Sequence, residues 1–354
     1  MDDYPHANRE TPMAPHDEPV HVLSTMSFPD GWLDRLRAIS PRLIVAQHSA
    51  ATCDDVPAGL LERADILYTG AVFPDPAQAP RLRWVQLDTA GVDHVVRTPL
   101  WRSDVAITTL NGVAPPTMAE YALMMMLAFA HRLPLMLAHQ ARAEWPSPSE
   151  RWRRFMPREL RGATVGIVGF GSIGREVGRV ARAFGLRVLA LRRGTAARPA
   201  SYHLPDLAAL DNSDPDGLYG PAQLTEMLPR CDYVVVVTPY TSATHHLIDR
   251  IALDAMKPTA VLVNMARGGV VDEDALVQAL REGRIAGAAL DVFDEEPLPR
   301  DSPLWTMENV IVSPHVAGFT PGYHERVLDL FGENLRRYLA GEELLNQARR
   351  DREY

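Results

Sequence analysis

At 354 residues, 46% hydrophobic and 23% charged, the chain has room for two cores of an ordinary soluble globular protein. Its formal charge of −9 argues against nucleic acid as a partner, because phosphate binding needs a basic face. The two cysteines, Cys53 and Cys231, lie far apart with neither metal-ligand spacing nor a disulfide framework. Two buried thiols in a reducing cytoplasm are the expectation, with no metal site.

Residues 1–19 are rich in Pro, His, Asp and Glu and lack the basic start and apolar core of a signal peptide, so a disordered tail is expected. From Val20 to about Pro116, strand-like runs (Val20–Leu23, Leu43–Ala46, Ile66–Thr69, Leu82–Leu87) alternate with helix-like ones (Gly31–Ile39, Gly59–Ala64). That alternation predicts βα units around a parallel sheet. A long helix is predicted over Thr117–Leu133. Its apolar run Tyr121–Ala130 is too short to span a membrane, and its three methionines read as gap-filling core residues.

Next comes Ala163-Thr-Val-Gly-Ile-Val-Gly169-Phe-Gly171-Ser-Ile-Gly174, then a helix-period segment to Gly185 and a second strand, Leu186–Leu191. A Gly-x-Gly-x-x-Gly turn between strand and helix is the fingerprint of a dinucleotide site. Gly169 makes the tight turn, Gly171 lets a pyrophosphate approach the backbone, and Gly174 lets helix pack on strand. The amides of Ser172 and Ile173 would face the phosphates from the helix N-terminus. An NAD site wants an acid at the tip of the second strand, to bind the ribose 2′-hydroxyl. Here the tip reads Arg192-Arg193, two guanidiniums suited to a 2′-phosphate. NADP(H) is therefore favoured, with NAD(H) possible. The stretch 193–220 reads as a surface insertion, with a role in shaping the 2′-phosphate pocket as the alternative.

Four further apolar runs follow: Tyr233–Thr238, Ala260–Asn264, Ala286–Asp291 and Asn309–Ser313. All suit strands buried on both faces. The overall expectation is α/β, with two Rossmann-like or flavodoxin-like doubly wound parallel-sheet domains and the active site in the cleft between them. Arg267, Glu296 and His315 stand at or just beyond strand-like ends, where ligands of open parallel sheets bind. Arg can hold a carboxylate, His can pass a proton, and a carboxylate can hold His charged. On the residues alone, Asp294 and Glu295 compete with Glu296 for the last role.

With these pieces in order, the chain resembles the D-isomer-specific 2-hydroxyacid dehydrogenase family from about Val20 to Leu345. The carrying segments are Leu87-Asp-Thr-Ala-Gly91-Val-Asp, Asn111-Gly-Val, Met118-Ala-Glu120, Val165–Gly174, Thr238-Pro-Tyr-Thr, Val263–Asp272, Leu290-Asp-Val-Phe, Glu296-Pro and Ser313-Pro-His-Val-Ala-Gly318. The resemblance implies a substrate domain over 20–116 plus 320–354, a dinucleotide-binding domain over 117–319, and a homodimer formed largely through the latter. It implies His315 as acid/base, Glu296 beside Pro297 as its partner, and Arg267 on the substrate's keto oxygen and carboxylate. Amides near Ala90 and Gly91 would complete the carboxylate pocket. Asp291 would bond the nicotinamide carboxamide, with Thr238 and Pro239 on the adenine side and Ala266 also on the cofactor side. Glu296 argues against the formate-oxidising branch, which usually lacks that partner. Because the chain ends at Tyr354, a regulatory domain and phosphoglycerate oxidation are not expected. The reading is an NADPH-dependent reductase of small 2-keto acids, of the glyoxylate or hydroxypyruvate type, acting in the cytoplasm. The alternative is a catalytically weak dinucleotide-sensing protein on the same fold.

Overall fold

The computed structural model describes residues 18–194, 200–204 and 214–354. Nearly all of the tail expected over 1–19, and part of the 193–220 stretch, lie outside them. The chain divides into two units, Met1–Val113 with Ala197–Leu204 and Pro321–Tyr354, and Ala114–Ala196 with Pro205–Thr320.

The first unit runs β1 (Val20–Ser24), α1 (Trp32–Arg37), β2 (Leu43–Gln47), α2 (Ala58–Leu61), β3 (Ile66–Thr69), β4 (Trp84–Leu87) and β5 (Ala106–Thr108). These strands pair in parallel in the order β2-β1-β3-β4-β5. Alternate side chains of a strand point to opposite faces. Val20, Val22, Ile66, Tyr68 and Trp84 therefore pack on one face with Leu330, Phe331 and Leu335 of the last helix, Tyr323–Ala340. Leu23, Leu67, Val85 and Leu87 build the core on the other. The indole of Trp84 is fully buried and donates to Thr108 Oγ1 at 2.7 Å, which spares its N–H the cost of burial without a partner.

The second unit runs α3 (Pro115–Ala130), α4 (Leu133–Ala141), α5 (Pro148–Arg154), β6 (Thr164–Val168), α6 (Ser172–Ala183), β7 (Arg187–Leu191), β8 (Gly217–Tyr219), α7 (Leu224–Met227), β9 (Tyr233–Val236), α8 (Arg250–Ala255), β10 (Val261–Asn264), α9 (Glu273–Arg281), β11 (Gly287–Leu290) and β12 (Val310–Val312). The sheet is parallel throughout, in the order β12-β11-β10-β9-β6-β7-β8. Its order reverses between β6 and β9, where a crevice opens beyond the strand ends. Strands β9, β10 and β11 are buried along their whole length between two apolar layers, which is why their sequences show no polar alternation.

Some expectations needed correction. The helix predicted to reach Leu133 stops at Ala130. Arg132 takes a left-handed backbone (φ 58°), and α4 starts again with Pro134 in its first turn, at 66° to α3. A proline fits there because first-turn amides have no helical acceptor to lose. Of the three methionines, Met125 and Met126 are buried but Met124 is 51% exposed. Cys231 is buried, whereas Cys53 is only half-buried. The 193–220 stretch read as an insertion contains β8, which pairs with β7. Among the described residues no single helix is long and apolar enough to cross a membrane.

One close approach in the second unit is directly testable. A Cβ at Gly166 of β6 would fall 2.4 Å from Cys231 Sγ. Gly166→Ala should therefore destabilise the protein by about 1–3 kcal/mol, read as a Tm several degrees lower. In a Cys231→Ala background most of that cost should vanish, because the clashing atom is gone.

Candidate active site

The glycine turn lies at the crevice of the second unit. Gly169 has φ 106°, a conformation open mainly to glycine, and a Cβ there would strike Thr238 N at 2.7 Å. The turn after β6 thus lies directly on the end of β9, which places Thr238 beside it. A Cβ at Gly174 would meet Gly169 O at 2.2 Å, so glycine is needed for α6 to start against the turn. Gly171 behaves differently. It faces open space, with nothing within 4 Å of a Cβ, and it caps α6 with Ser172 and Ile173 as the first helical residues. A bare backbone opening onto space at a helix N-terminus is the cradle a pyrophosphate requires. The residues present therefore fit a dinucleotide.

Arg192 and Arg193 follow β7, the neighbour of β6. The amide of Arg192 donates to Tyr219 O of β8 at 2.9 Å, and its Nε donates to Gly194 O at 2.9 Å. Arg193 is exposed. Among the described residues that follow β7 here, Arg192, Arg193 and Gly194, none is acidic. Thr238 is half-buried, Pro239 exposed and Ala266 buried.

The three polar residues beyond the strand ends of the second unit are organised by two contacts. His315 Nδ1 lies 2.8 Å from Glu296 Oε2, while Glu296 Oε1 accepts from the Phe293 amide at 3.0 Å. Both carboxylate oxygens are therefore oriented, and the carboxylate in turn fixes the imidazole. It is Glu296, among the three adjacent acids, that bonds His315. The amide of Asp294 donates instead to Glu273, and burial pushes the Asp294 carboxyl above the usual carboxylate range. His315 Nε2 has no partner among the described residues, and the ring is about half exposed. Arg267 follows β10 and donates to Ala266 O at 2.9 Å. At the adjoining Gly268, a Cβ would fall 2.0 Å from the Phe293 carbonyl. Only glycine lets the Arg267 loop lie against the segment that leads to Glu296.

Asp291 carries the most connections of any residue here. It is 1% exposed, and its carboxylate accepts from Ser313 Oγ at 2.6 Å, the Val316 amide at 2.9 Å and the Ala317 amide at 2.8 Å. Its carbonyl accepts the His315 amide at 2.9 Å. His315 itself has φ 54°, a left-handed conformation that costs an L-residue about 1–2 kcal/mol. The Asp291 bonds on both sides hold it there. The hydroxyls of Ser313 and Tyr121 lie 2.6 Å apart. Burial pushes the Tyr121 phenol up to about 12, so it stays protonated. In the sequence, Tyr121 reads only as part of a helix core. The missed signal is that a buried tyrosine hydroxyl needs a partner. Ala90 and Gly91 lie in the first unit, beyond β4, where Thr89 Oγ1 donates to Gly91 O at 2.7 Å. Among the described residues no cluster of His, Cys, Asp and Glu could hold a metal ion.

Comparison with known proteins settles the family. The model of the D-isomer specific 2-hydroxyacid dehydrogenase NAD-binding domain matches residues 123–317. A glyoxylate reductase of Thermococcus gammatolerans is 34% identical over 334 residues, 91% of this chain and 93% of the relative. The chain belongs to the D-isomer specific 2-hydroxyacid dehydrogenase family. Among solved structures, a member from Xanthobacter autotrophicus in complex with NADPH and MES matches with a TM-score of 0.77 at 32% identity, over 95% of this chain and 100% of that one. An NADPH-dependent glyoxylate/hydroxypyruvate reductase of Sinorhizobium meliloti, bound to NADP and sulfate, matches with a TM-score of 0.75 at 25% identity, over the same shares. The protein is accordingly an NAD(P)-dependent oxidoreductase acting on CH–OH groups.

The buried network makes a prediction for this dehydrogenase. Asp291→Asn turns an acceptor into a donor facing backbone amides, and should cost about 1–3 kcal/mol of stability together with most of kcat. Tyr121→Phe removes one hydroxyl and should lower Tm and kcat more mildly. Thermal unfolding and steady-state kinetics on both variants check the order, which the network requires to be Asp291 before Tyr121.

Proposed function

We propose that this dehydrogenase reduces a small 2-keto acid of the glyoxylate or hydroxypyruvate type, with NADPH as the preferred reductant. The observation that carries the reading is the imidazole of His315, held through Nδ1 by Glu296 with Nε2 left for a substrate. When bound on the glycine turn, the dinucleotide supplies the hydride. His315 Nε2 then gives its proton to the carbonyl oxygen, and takes it back in oxidation. Glu296 stabilises the charged imidazole and keeps the ring from turning. Arg267 binds the keto oxygen and the carboxylate through its planar guanidinium, which aligns the carbonyl and offsets charge developing on oxygen. The amides of Ala90 and Gly91 hold the same carboxylate. The first unit is thus the substrate-binding one.

Asp291 Oδ1 already has two donors and Oδ2 has one, which leaves a lone pair of Oδ2 for a carboxamide N–H. Thr238, Pro239 and Ala266 border the dinucleotide. Arg192 and Arg193 select the 2′-phosphate, a preference consistent with relatives bound to NADPH or NADP. The protein acts as a cytoplasmic homodimer. Supporting that state, Trp145 and Trp152 of the second unit are 87% and 73% exposed, and Met136 and Leu137 are exposed as well.

Two variants test this reading. His315→Ala should lower kcat by about 10²- to 10⁴-fold while the Kd for NADPH stays within about twofold. Wild-type turnover in that variant would refute the assignment. The double change Arg192→Asp with Arg193→Ala should swing the ratio of kcat/KM for NADPH over NADH by at least about tenfold toward NADH. An unchanged ratio would mean these guanidiniums do not read the ribose.

A further inference from the structure

The first unit holds a second group of polar and aromatic side chains that the proposed chemistry leaves unused. Its strand order reverses between β1 and β3, which puts a crevice beyond the carboxyl ends of those strands. Residues just past β1, β3 and β4 meet there. A side chain at Gly70 would lie 3.4 Å from Met26 Sδ and 3.8 Å from Asp88 Cβ. Asp88 is the first residue after β4, two positions before Ala90, and it is half-buried. One of its carboxylate oxygens accepts the hydroxyl of Tyr68, itself 2% exposed. The other has no partner among the described residues. Among the described residues no Arg or Lys is bonded to this carboxylate.

Around it stands an aromatic wall. Phe28 packs on Tyr68 with centroids 5.0 Å apart and on Trp32 at 5.1 Å. Trp32 meets His324 at 6.0 Å, and His324 meets Tyr323 at 6.1 Å. Burial, with the Asp88 charge nearby, pushes the Tyr323 phenol up to about 12, and its hydroxyl has no partner among the described residues. Burial likewise raises the Asp88 carboxyl, opposed by the Tyr68 hydrogen bond and by His324. Aromatic rings around a few convergent polar groups, one of them an acceptor with an oxygen that has no partner among the described residues, are the usual lining of a small-molecule subsite. Aromatic faces beside a carboxylate suit a cation or a hydrogen-bond donor and repel an anion.

We infer that Asp88, with Tyr68, Tyr323 and the surrounding rings, forms the subsite for the tail of the substrate, and that it selects 2-keto acids whose tail donates hydrogen bonds and carries no negative charge. The inference rests on the reaction proposed above, and its test keeps the two apart. Steady-state kinetics compare 2-keto acids of similar length ending in a hydroxyl, an ammonium or a sulfonate group. In the wild type, kcat/KM for the hydroxyl and ammonium tails should exceed that for the sulfonate tail by at least about tenfold, and added salt should narrow the gap as screening weakens the charge. Asp88→Asn should compress the ammonium-to-sulfonate ratio by about tenfold, through KM rather than kcat. A wild type that prefers or equally accepts the sulfonate overturns the proposal, whether or not the variant folds. Absence of turnover with every acid would sink the reaction instead. Calorimetric binding of the same acids to the wild type with NADP then decides the subsite, and equal affinities for the ammonium and sulfonate tails would overturn it.

Discussion

The carboxylate of Asp291 is the constraint on which the rest of the candidate site depends. A polar group at 1% exposure is tolerated only if its hydrogen-bonding atoms are met, and three donors from the following segment meet them. Those donors come from Ser313, Val316 and Ala317, so satisfying one buried acceptor pair folds the loop that carries His315. The left-handed backbone of His315 is the conformational cost of that closure. The reward is an imidazole whose position is set from two directions, by its own amide on Asp291 and by its Nδ1 on Glu296. Preorganisation of this kind lets a proton donor act without reorganising during the reaction.

Glycine supplies the second constraint, through close approach rather than flexibility. The turn after β6 touches the start of the segment beyond β9 because Gly169 has no Cβ, and the Arg267 loop touches Phe293 because Gly268 has none. Each contact links one strand end of the sheet to another. The dinucleotide cradle and the polar trio are thereby built on the same parallel sheet, whose central strands β9, β10 and β11 are buried along their whole length. Motion of one strand end relative to the next would have to break these contacts.

Much of this was legible in the sequence, for physical reasons. Strands buried on both faces read as unbroken apolar runs, so β6 and β9 to β11 announced themselves, and the half-buried β12 shared their apolar pattern. A dinucleotide turn needs three glycines at fixed spacing, and Gly169, Gly171 and Gly174 stood in the strand and helix context that gives them meaning. What stayed hidden depended on tertiary contacts. The bend at Arg132 arises from one left-handed residue inside an apolar stretch that otherwise reads as continuous helix. Strand β8 is three residues long and stands within a polar segment. Tyr121 looked like core because only the fold brings its hydroxyl to Ser313, which is 192 positions away. Asp88 sat inside a family-like segment without a role, since the aromatic wall around it comes from three separated stretches of chain.

The most direct test of the whole account is turnover by the unmodified protein. NADPH oxidation is followed with hydroxypyruvate, and the product is resolved by chiral chromatography. The account predicts one D-glycerate formed for each NADPH consumed. Tight NADPH binding with no product from hydroxypyruvate, glyoxylate or any other 2-keto acid would contradict it, and would leave a protein that senses the dinucleotide without using it.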